Sequence, residues 1–419
     1  MTTEVDPVTT LAAPLTLACG QVLPNRLMKA ALSEGLGTRT HSPDVRLERL
    51  YTRWGAGGYG LVLTGNVMVD RHHIGEPGNV VIEDDRDLDG MTRWAKSARD
   101  GGSPIWMQLN HPGRQANPMA TRSKPIAPSA IAPGIPGIPA PRAMTEYEIR
   151  GIVERFATAA LVAESAGFDG VQIHGAHGYL VSQFLSPSAN RRDDRWGGSL
   201  DNRMRFVLEV VRAIRTAVSP GFAVGIKLNS ADFQRGGFGE EESRLVVEHL
   251  ADEHIDLIEI SGGTYESPAM MGRSVADSTR RREAYFLDYA REVRTAAGDV
   301  PLAVTGGFRT RSAMGAAVAS GECDVVGLGR PAAVTPDAGN ALLRGGADSV
   351  VSPAIGLGLP RRFAKPLDGA LDLQWHTDQL HLIGAGSEPD PNRSVWRTAV
   401  RTLQRNGLDA FRSRRSGSK

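Results

Sequence analysis

Short apolar segments alternate with longer amphipathic segments along most of the chain. Eight apolar segments have the character of strands, at Arg26–Leu32, Leu61–Thr64, Ile105–Leu109, Gly170–His174, Ala223–Leu228, Leu257–Ser261, Leu302–Thr305 and Val325–Gly327. Seven segments with helical spacing follow them in turn, at Asp44–Trp54, Asp87–Asp100, Thr145–Ala166, Asn202–Val218, Glu240–Glu253, Glu283–Ala297 and Ser312–Ala319. This alternation predicts parallel strands joined by crossover helices. Eight strands in one series, with no GxGxxG motif after an early strand, favour an α/β fold of the closed (β/α)8 TIM-barrel type over an open dinucleotide-binding sheet.

Polar residues and glycines stand where several of the predicted strands end. They are Thr64-Gly65-Asn66, Gln108-Leu109-Asn110-His111, His174-Gly175-Ala176-His177, Lys227-Leu228-Asn229 and Ser261-Gly262-Gly263. In a barrel of parallel strands these ends converge on one face, which is where barrel enzymes carry their active sites. The clustering therefore predicts an enzyme.

Two segments depart from the alternation. The segment Asn117–Arg142 is rich in proline and glycine, which disfavour helix and central strand. It follows the third strand, so it is either a long surface connection or a lid that shapes the active site. The chain is predicted to be a single domain, with a barrel core over about 15–345 and a C-terminal extension over about 346–419. Within the extension, Ser394–Phe411 is predicted to be helical, before a solvated basic tail.

Composition excludes several classes of function. Lysine and arginine number 48 against 47 aspartates and glutamates, a net charge of +1, which gives no electrostatic reason to bind nucleic acid or an anionic membrane. No apolar segment reaches membrane-spanning length, and the N-terminus lacks the pattern of a signal peptide. Cys19 and Cys323 form no CxxC pair and no disulfide framework, which predicts a cytoplasmic protein without a cysteine-ligated metal.

The segment Phe168–Phe206 carries the strongest chemical signal. His174, His177 and Tyr179 follow the fourth predicted strand, so three reactive side chains can reach one cavity. Imidazoles can donate hydrogen bonds to a carbonyl oxygen, and a phenol can act as a general acid. The alternative is that the two histidines only satisfy backbone groups and that the tyrosine packs. A zinc site is disfavoured because no nearby carboxylate or cysteine completes a ligand set, so no metal is predicted.

The same segment, HGAHGYLVSQFLSPSANRRDDRWGGSLDNRMRF, resembles the signature of the Old Yellow Enzyme family of FMN-containing ene-reductases. Further matches follow in chain order: LPNRLMKAALSE in the first strand, QLNHPGRQA in the third, IEISGGTYE in the sixth, and AVTGGFRT and DVVGLGRP in the last two. The resemblance covers roughly Leu15–Val334. Because these motifs occur in the family's order and at the expected strand positions, together they are specific.

The resemblance implies FMN as the cofactor, with the phosphate held after the last two strands by Gly306, Gly307, Gly329 and Arg330. Glycines allow backbone amides to approach a phosphate closely, and a guanidinium adds charged donors.

The flavin ring is implied to lie against residues of four other strands. Gln108 would contact the pyrimidine edge, and Lys227 would lie near N1 and the C2 carbonyl, where many relatives carry arginine. Ala31 and Leu32 would offer backbone groups, Ser33 a hydroxyl to the C4 carbonyl, and Gly65 a small surface beside the ring. Tyr265 would reach the substrate, unless it only packs.

The implied reaction passes hydride from NADH or NADPH through FMN N5 to an activated alkene, the small-molecule partner. His174 and His177 would bind the substrate carbonyl, and Tyr179 would supply the proton. His111 and Arg114 are predicted to stabilise their loop rather than to take part in catalysis. The alternatives are a related reductase of quinones, nitro compounds or oxygen, a dienoyl-CoA reductase, a non-redox lyase or isomerase with a phosphorylated substrate, and a barrel without catalytic function. The family also allows a homo-oligomer.

Overall fold

The computed structural model describes residues 6–133, 139–263, 284, 286–353, 355–356 and 361–404, without the side chains of 361–368 and 370. Its centre is a closed barrel of eight parallel strands, in the chain order that the alternation predicted. The barrel strands are Leu27–Lys29, Leu61–Met68, Ile105–Asn110, Gly170–Gly175, Ala223–Asn229, Leu257–Ser261, Leu302–Thr305 and Val325–Leu328. The (β/α)8 fold is therefore confirmed.

Helices surround the barrel and extend beyond it. In the described part of the chain they are Pro7–Ala12, Val45–Gly55, Leu88–Arg99, Pro118–Thr121, Glu146–Ser165, Leu180–Leu185, Leu200–Ala217, Glu240–Ala251, Leu287–Val293, Arg311–Ala319, Arg330–Val334, Ala338–Leu343, Arg361–Gly384 and Val395–Thr402. None of the described helices is long and apolar enough to cross a membrane.

The helix Glu146–Ser165 shows how local sequence sets these elements. Thr145 accepts a hydrogen bond from the Glu148 backbone, and the Glu148 carboxylate accepts one from the Thr145 N–H in return. Such a capping box satisfies two donors that the first helical turn leaves without partners. One face of the helix is buried through Ile149, Ile152, Val153, Phe156, Ala159, Ala160, Val162 and Ala163. Gly167, at φ 85°, follows the helix in the left-handed conformation that favours glycine.

The end of the barrel opposite the predicted site is apolar. Leu15–Thr16 and Val22–Leu23 pair antiparallel in a short hairpin. Leu17 and Leu23 of this hairpin pack with residues of the barrel interior such as Trp106. This packing excludes water from one end, so the opening of the barrel lies at the carboxyl ends of its strands.

The first barrel strand is shorter than the prediction Arg26–Leu32, because regular pairing ends at Lys29. Residues Ala30–Ser33 instead run along the opening of the barrel. The helix predicted over Glu283–Ala297 is observed over Leu287–Val293, and Glu283 lies outside the described residues.

The C-terminal extension contains a helix that the sequence did not predict, Arg361–Gly384. Pro366 and Gly369 lie inside it and interrupt the helical pattern in the sequence. The helix packs against the barrel, where His381 Nε2 lies 2.9 Å from the Glu34 carbonyl oxygen. The second helix of the extension covers Val395–Thr402, within the predicted Ser394–Phe411, of which residues 405–411 lie outside the described part of the chain.

The segment Asn117–Arg142 is more regular than its composition indicated. It begins with the short helix Pro118–Thr121, because proline is compatible with the first helical position. Further on, Ile126–Ala127 pairs with Arg142–Ala143 in a separate two-stranded sheet outside the barrel, which does not contradict the expectation that the segment disfavours a central strand. None of its described residues lines the active-site cavity, and a lid role stays a prediction.

Candidate active site

A cavity of about 450 Å³ opens at the carboxyl ends of the barrel strands. Its size is typical of small-molecule sites, and its position is that of the active site in barrel enzymes. Fourteen of the residues singled out in the sequence line it, namely Ala31, Leu32, Ser33, Asn66, Gln108, His174, His177, Tyr179, Lys227, Ser261, Gly306, Gly307, Gly329 and Arg330. Tyr265 lies outside the described residues, and Gly65 does not line the cavity.

A tight turn after the fourth strand brings His177 and Tyr179 into the cavity. Both His177 (φ 62°) and Gly178 (φ 73°) have left-handed backbone conformations. Gln115 Nε2 donates to the carbonyl oxygens of these two residues, at 3.1 and 2.6 Å. Gln183 Nε2 donates to the Gly178 carbonyl at 2.7 Å. A left-handed turn strains any residue other than glycine, so these two amides stabilise a conformation that the backbone alone disfavours.

The three ring side chains of this turn are in contact. The His174 ring centroid lies 5.0 Å from that of His177 and 4.8 Å from that of Tyr179. His174 Nδ1 accepts from the Ala176 N–H at 3.3 Å, which leaves the proton of a neutral ring on Nε2. His177 Nε2 lies 2.9 Å from the Ser261 hydroxyl. The sequence proposal that these side chains share one cavity therefore agrees with the structure, while their chemical roles stay predictions.

Both histidines are held in the neutral form. Burial, with smaller contributions from His177 and Lys227, places the pKa of His174 well below its ordinary value of 6.5. Burial and the charge of Lys227 lower the pKa of His177 to about 3. At neutral pH each ring is therefore an uncharged hydrogen-bonding group.

We expect the free energy of unfolding to decrease as the pH falls from 7.5 to 5.5. Below pH 6.5 the histidines of the unfolded chain bind protons that the folded protein does not bind, so protons favour unfolding. One such histidine contributes about 1.4 kcal/mol per pH unit below 6.5. Urea unfolding at several pH values measures the slope. His174→Asn should reduce the pH dependence of the free energy of unfolding. The control is His254→Asn, at an exposed position with a left-handed backbone that asparagine tolerates, and it should leave this pH dependence unchanged. Equal slopes in all three proteins would contradict this account.

The other side of the cavity presents an amide and a cation. Gln108, on the third strand, donates through Nε2 to the Gln172 side chain at 2.7 Å. Lys227, on the fifth strand, pairs with the buried carboxylate of Glu259 at 2.9 Å. Both Gln108 and Lys227 line the cavity, so an amide and an ammonium group are available to a ligand there.

The glycine turns after the seventh strand lie at a further part of the same cavity. Gly306 and Gly307 have φ values of 123° and 90°, which other residues rarely adopt. Arg330 lines the cavity beside them, and its Nη1 lies 3.0 Å from Asp372 of the C-terminal extension. Asp372 and His376 also line the cavity, although nothing in their sequence context indicated this.

Gly65 acts behind the cavity wall rather than in it. A Cβ at Gly65 would overlap the Leu32 carbonyl oxygen and the Glu34 carboxylate. Its N–H donates to that carboxylate at 2.8 Å. Gly65 was expected to lie beside the flavin, but in the structure it packs behind the segment Ala31–Ser33 and supports it. Within that segment, the Ser33 hydroxyl donates to the Glu76 carboxylate, which also lines the cavity.

Several residues of the site received no individual role from the sequence, although Ser261 and Asn229 were named among the polar residues at the strand ends. Gln115 and Ser261 stand inside the motifs QLNHPGRQA and IEISGGTYE, so the motifs carried the signal. Asn229, whose side chain accepts from the His177 N–H at 3.2 Å, follows Lys227 by two residues. The side chains of Gln172 and Glu259 meet in the barrel interior, where Gln172 Nε2 donates to Glu259 at 2.7 Å, and strand pairing sets them beside Gln108 and Lys227.

A second cluster of ionisable side chains lies outside the cavity, formed by Asp70, His73 and His111. Their ligand-type atoms are within 4.8 Å of one another. Three of the four ring nitrogens have hydrogen-bonding partners: Nδ1 of His111 accepts from the Gly113 N–H at 3.1 Å, and the His73 nitrogens lie 2.7 Å from Asp70 and 3.3 Å from the Lys124 carbonyl. The fourth, His111 Nε2, lies 3.7 Å from the Asp70 carboxylate. The absence of a metal stays a prediction, as does the loop-stabilising role of His111.

The residues around the cavity fit FMN. An amide and a cation on one side match the hydrogen-bonding pyrimidine edge of a flavin. Positive-φ glycines beside an arginine match a phosphate, in the loops that bind phosphate in many (β/α)8 barrels. A non-redox phosphate-binding barrel would share only the second of these features.

Comparison with known proteins identifies the family. The family model described as "NADH:flavin oxidoreductase / NADH oxidase family" matches residues 10–345. The chain is 40% identical over 346 residues to the NADH-dependent flavin oxidoreductase iliE of Hypocrea jecorina (strain QM6a), covering 77% of this chain and 86% of that protein. It is 42% identical over 352 residues to iccE of Talaromyces variabilis, which has the same description, covering 78% and 84%.

A solved structure gives the same result. Morphinone reductase in complex with tetrahydroNAD is 27% identical, with a TM-score of 0.67, and the match covers 81% of this chain and 91% of that one. These relatives confirm FMN as the cofactor and NADH or NADPH as the electron donor. The chain therefore belongs to the NADH:flavin oxidoreductase / NADH oxidase family, of Old Yellow Enzyme type, and is an NAD(P)H-dependent flavin oxidoreductase.

Proposed function

We propose that the protein reduces the activated carbon–carbon double bond of α,β-unsaturated carbonyl compounds. The observation that carries the proposal is the joint exposure of His174, His177 and Tyr179 to the cavity that fits FMN. A reductase that only passes electrons to a quinone or to oxygen does not need two hydrogen-bond donors and a proton donor held together in this way.

The two histidines bind the carbonyl oxygen of the substrate. Because both rings are neutral, each can donate one N–H without a counter-charge. The proton of His174 is on Nε2, since Nδ1 accepts from the backbone. Hydrogen bonds to the carbonyl oxygen withdraw electron density from the alkene and stabilise the enolate charge that develops there.

Tyr179 donates the proton that completes the reduction. Its side chain is 8% exposed and lies against the His174 ring, so the phenol is close to a carbonyl bound by the histidines. When bound, FMN supplies the hydride, which reaches the β-carbon of the substrate. The phenol proton goes to the α-carbon, and solvent restores it in a later step.

The remaining lining residues position the cofactor. Gln108 and Lys227 would hold the pyrimidine end of the flavin, and Ala31–Ser33 would lie along its edge. Gly306, Gly307, Gly329 and Arg330 would hold the phosphate. A fixed cation at Lys227 favours the negative charge that the flavin gains on reduction.

We expect the purified protein to be yellow, to be bleached anaerobically by NADH or NADPH, and to regain its colour when cyclohexenone is added. Visible spectroscopy follows both half-reactions, and gas chromatography identifies cyclohexanone as the product. Cyclohexanone added in place of cyclohexenone is the control, because it has the carbonyl without the alkene.

Two other outcomes have clear meanings. Recovery of colour with oxygen or a quinone but not with any activated alkene would contradict ene reduction and leave a flavin oxidoreductase. A protein that binds no FMN under reconstitution would remove the cofactor assignment itself.

A further inference from the structure

A continuous chain of buried side chains connects Gln108 to Lys227 through the interior of the barrel. Gln108 Nε2 donates to Gln172 Oε1 at 2.7 Å, and Gln172 Nε2 donates to Glu259 Oε2 at 2.7 Å. The other carboxylate oxygen of Glu259 lies 2.9 Å from Lys227 Nζ. The third, fourth, fifth and sixth strands each contribute one member, so the chain forms a polar layer across half of the barrel.

Strand register creates this layer. Gln172 stands directly beside Gln108 in one pair of strands, and Glu259 stands directly beside Lys227 in another. Gln172 and Glu259 are fully buried, whereas Gln108 and Lys227 reach the cavity. The two fully buried residues, Gln172 and Glu259, therefore hold the side chains of Gln108 and Lys227 from the interior of the barrel.

The direction of every hydrogen bond in the layer follows from Glu259. A carboxylate only accepts hydrogen bonds, so Gln172 must turn its NH₂ group towards it. The Gln172 oxygen then faces Gln108 and accepts from the Gln108 amide. A buried charge without a partner costs several kcal/mol, so Glu259 and Lys227 also hold each other in place.

We propose that Glu259 is a positioning residue that fixes Lys227 and Gln108 against the pyrimidine end of the flavin and moderates the charge that the flavin meets there. This inference rests on the proposed place of FMN. A negative charge behind Lys227 offsets part of the lysine's attraction for a reduced, anionic flavin. Glu259 thus keeps the reduction potential of FMN lower than Lys227 alone would set it.

The test is Glu259→Gln in the FMN-loaded protein, with the midpoint potential of the flavin measured by anaerobic dye-coupled reduction. We expect reduced FMN to be favoured about tenfold more than in the wild type, since one charge is removed from a poorly screened site. For a two-electron couple this is a positive shift of about 30 mV. Glu259→Asp, which retains the charge, should stay near the wild-type potential.

Asp256→Asn is the matched control. Asp256 is also a buried carboxylate paired with a basic residue, Arg215, but it lies just before the sixth strand, at the opposite end of the barrel. Its loss should lower thermal stability without moving the potential. A purely structural role for Glu259 would give the same pattern in Glu259→Gln, and an unchanged potential there would overturn the proposal.

A second comparison covers the case in which Glu259→Gln does not retain FMN. In the Lys227→Gln background, adding Glu259→Gln replaces the ion pair by two amides and leaves no unpaired buried charge. The proposal requires the double variant to have a higher potential than Lys227→Gln alone, and equal potentials would overturn it. Failure of the wild type to bind FMN would instead refute the proposed function, so the two failures are distinguishable.

Discussion

Replacement of Tyr179 by phenylalanine is expected to slow alkene reduction by about 10²–10⁴-fold, the usual contribution of a positioned general acid. The substitution removes one hydroxyl and keeps the ring, which contacts His174 at a centroid distance of 4.8 Å. Reduction of the flavin by NADH needs no proton from this residue. That half-reaction should therefore stay near its wild-type rate.

Anaerobic stopped-flow absorbance measures the two half-reactions separately. Tyr59→Phe is the matched control, because Tyr59 is fully buried and does not line the cavity. It should change neither rate. Alkene reduction at the wild-type rate in Tyr179→Phe would show that another group or water delivers the proton. An equal loss in both half-reactions would indicate instead that Tyr179 positions the cofactor.

The barrel could be predicted because the burial of each strand can be recognised from the apolar residues of that strand alone. A strand such as Ile105–Asn110 is covered on both sides, so it begins with three consecutive apolar residues and its start stands out in the sequence. The prediction Ile105–Leu109 missed one residue. Regular alternation with helices then fixed the class of fold without any tertiary information.

The helix Arg361–Gly384 could not be predicted in this way. Pro366 and Gly369 weaken its local preference for helix, so contacts with the barrel, such as His381 with the Glu34 backbone, must stabilise it. Such contacts join residues far apart in the chain, and no local pattern records them. The part of the site that this helix supplies, Asp372 and His376, was missed for the same reason.

The residues of the candidate site that stand at strand ends could be predicted, whereas those buried in the barrel interior could not. Gln108 and Lys227 stand at the ends of their strands, where a polar residue after an apolar segment is conspicuous. Gln172 and Glu259 lie inside apolar segments, and their meaning depends on which residue stands beside them in the next strand. Register is a property of two strands together, so it became visible only in the folded barrel.

Gly65→Ala is expected to cost about 1–3 kcal/mol of stability, the usual effect of forcing a methyl group into a packed site. The new Cβ would overlap the Leu32 carbonyl oxygen, and backbone cannot move aside as a flexible side chain can. It would also displace the Glu34 carboxylate, which accepts from the Gly65 N–H at 2.8 Å and from the Tyr51 hydroxyl. Because Leu32 and its neighbours line the cavity, the displacement would reach the place that we propose for the cofactor.

If this strain is relieved by movement of Ala31–Ser33, FMN should bind about five- to 150-fold more weakly, which is the same 1–3 kcal/mol expressed as affinity. Quenching of FMN fluorescence on titration with apoprotein measures the change, and thermal unfolding measures the stability. Gly151→Ala is the matched control, because Gly151 lies within the helix Glu146–Ser165 with open space around it, and alanine favours helix there. Gly151→Ala should leave FMN affinity unchanged and raise stability slightly. Lower stability with wild-type FMN affinity in Gly65→Ala would contradict the expectation that the strain is transmitted through Ala31–Ser33 to the flavin.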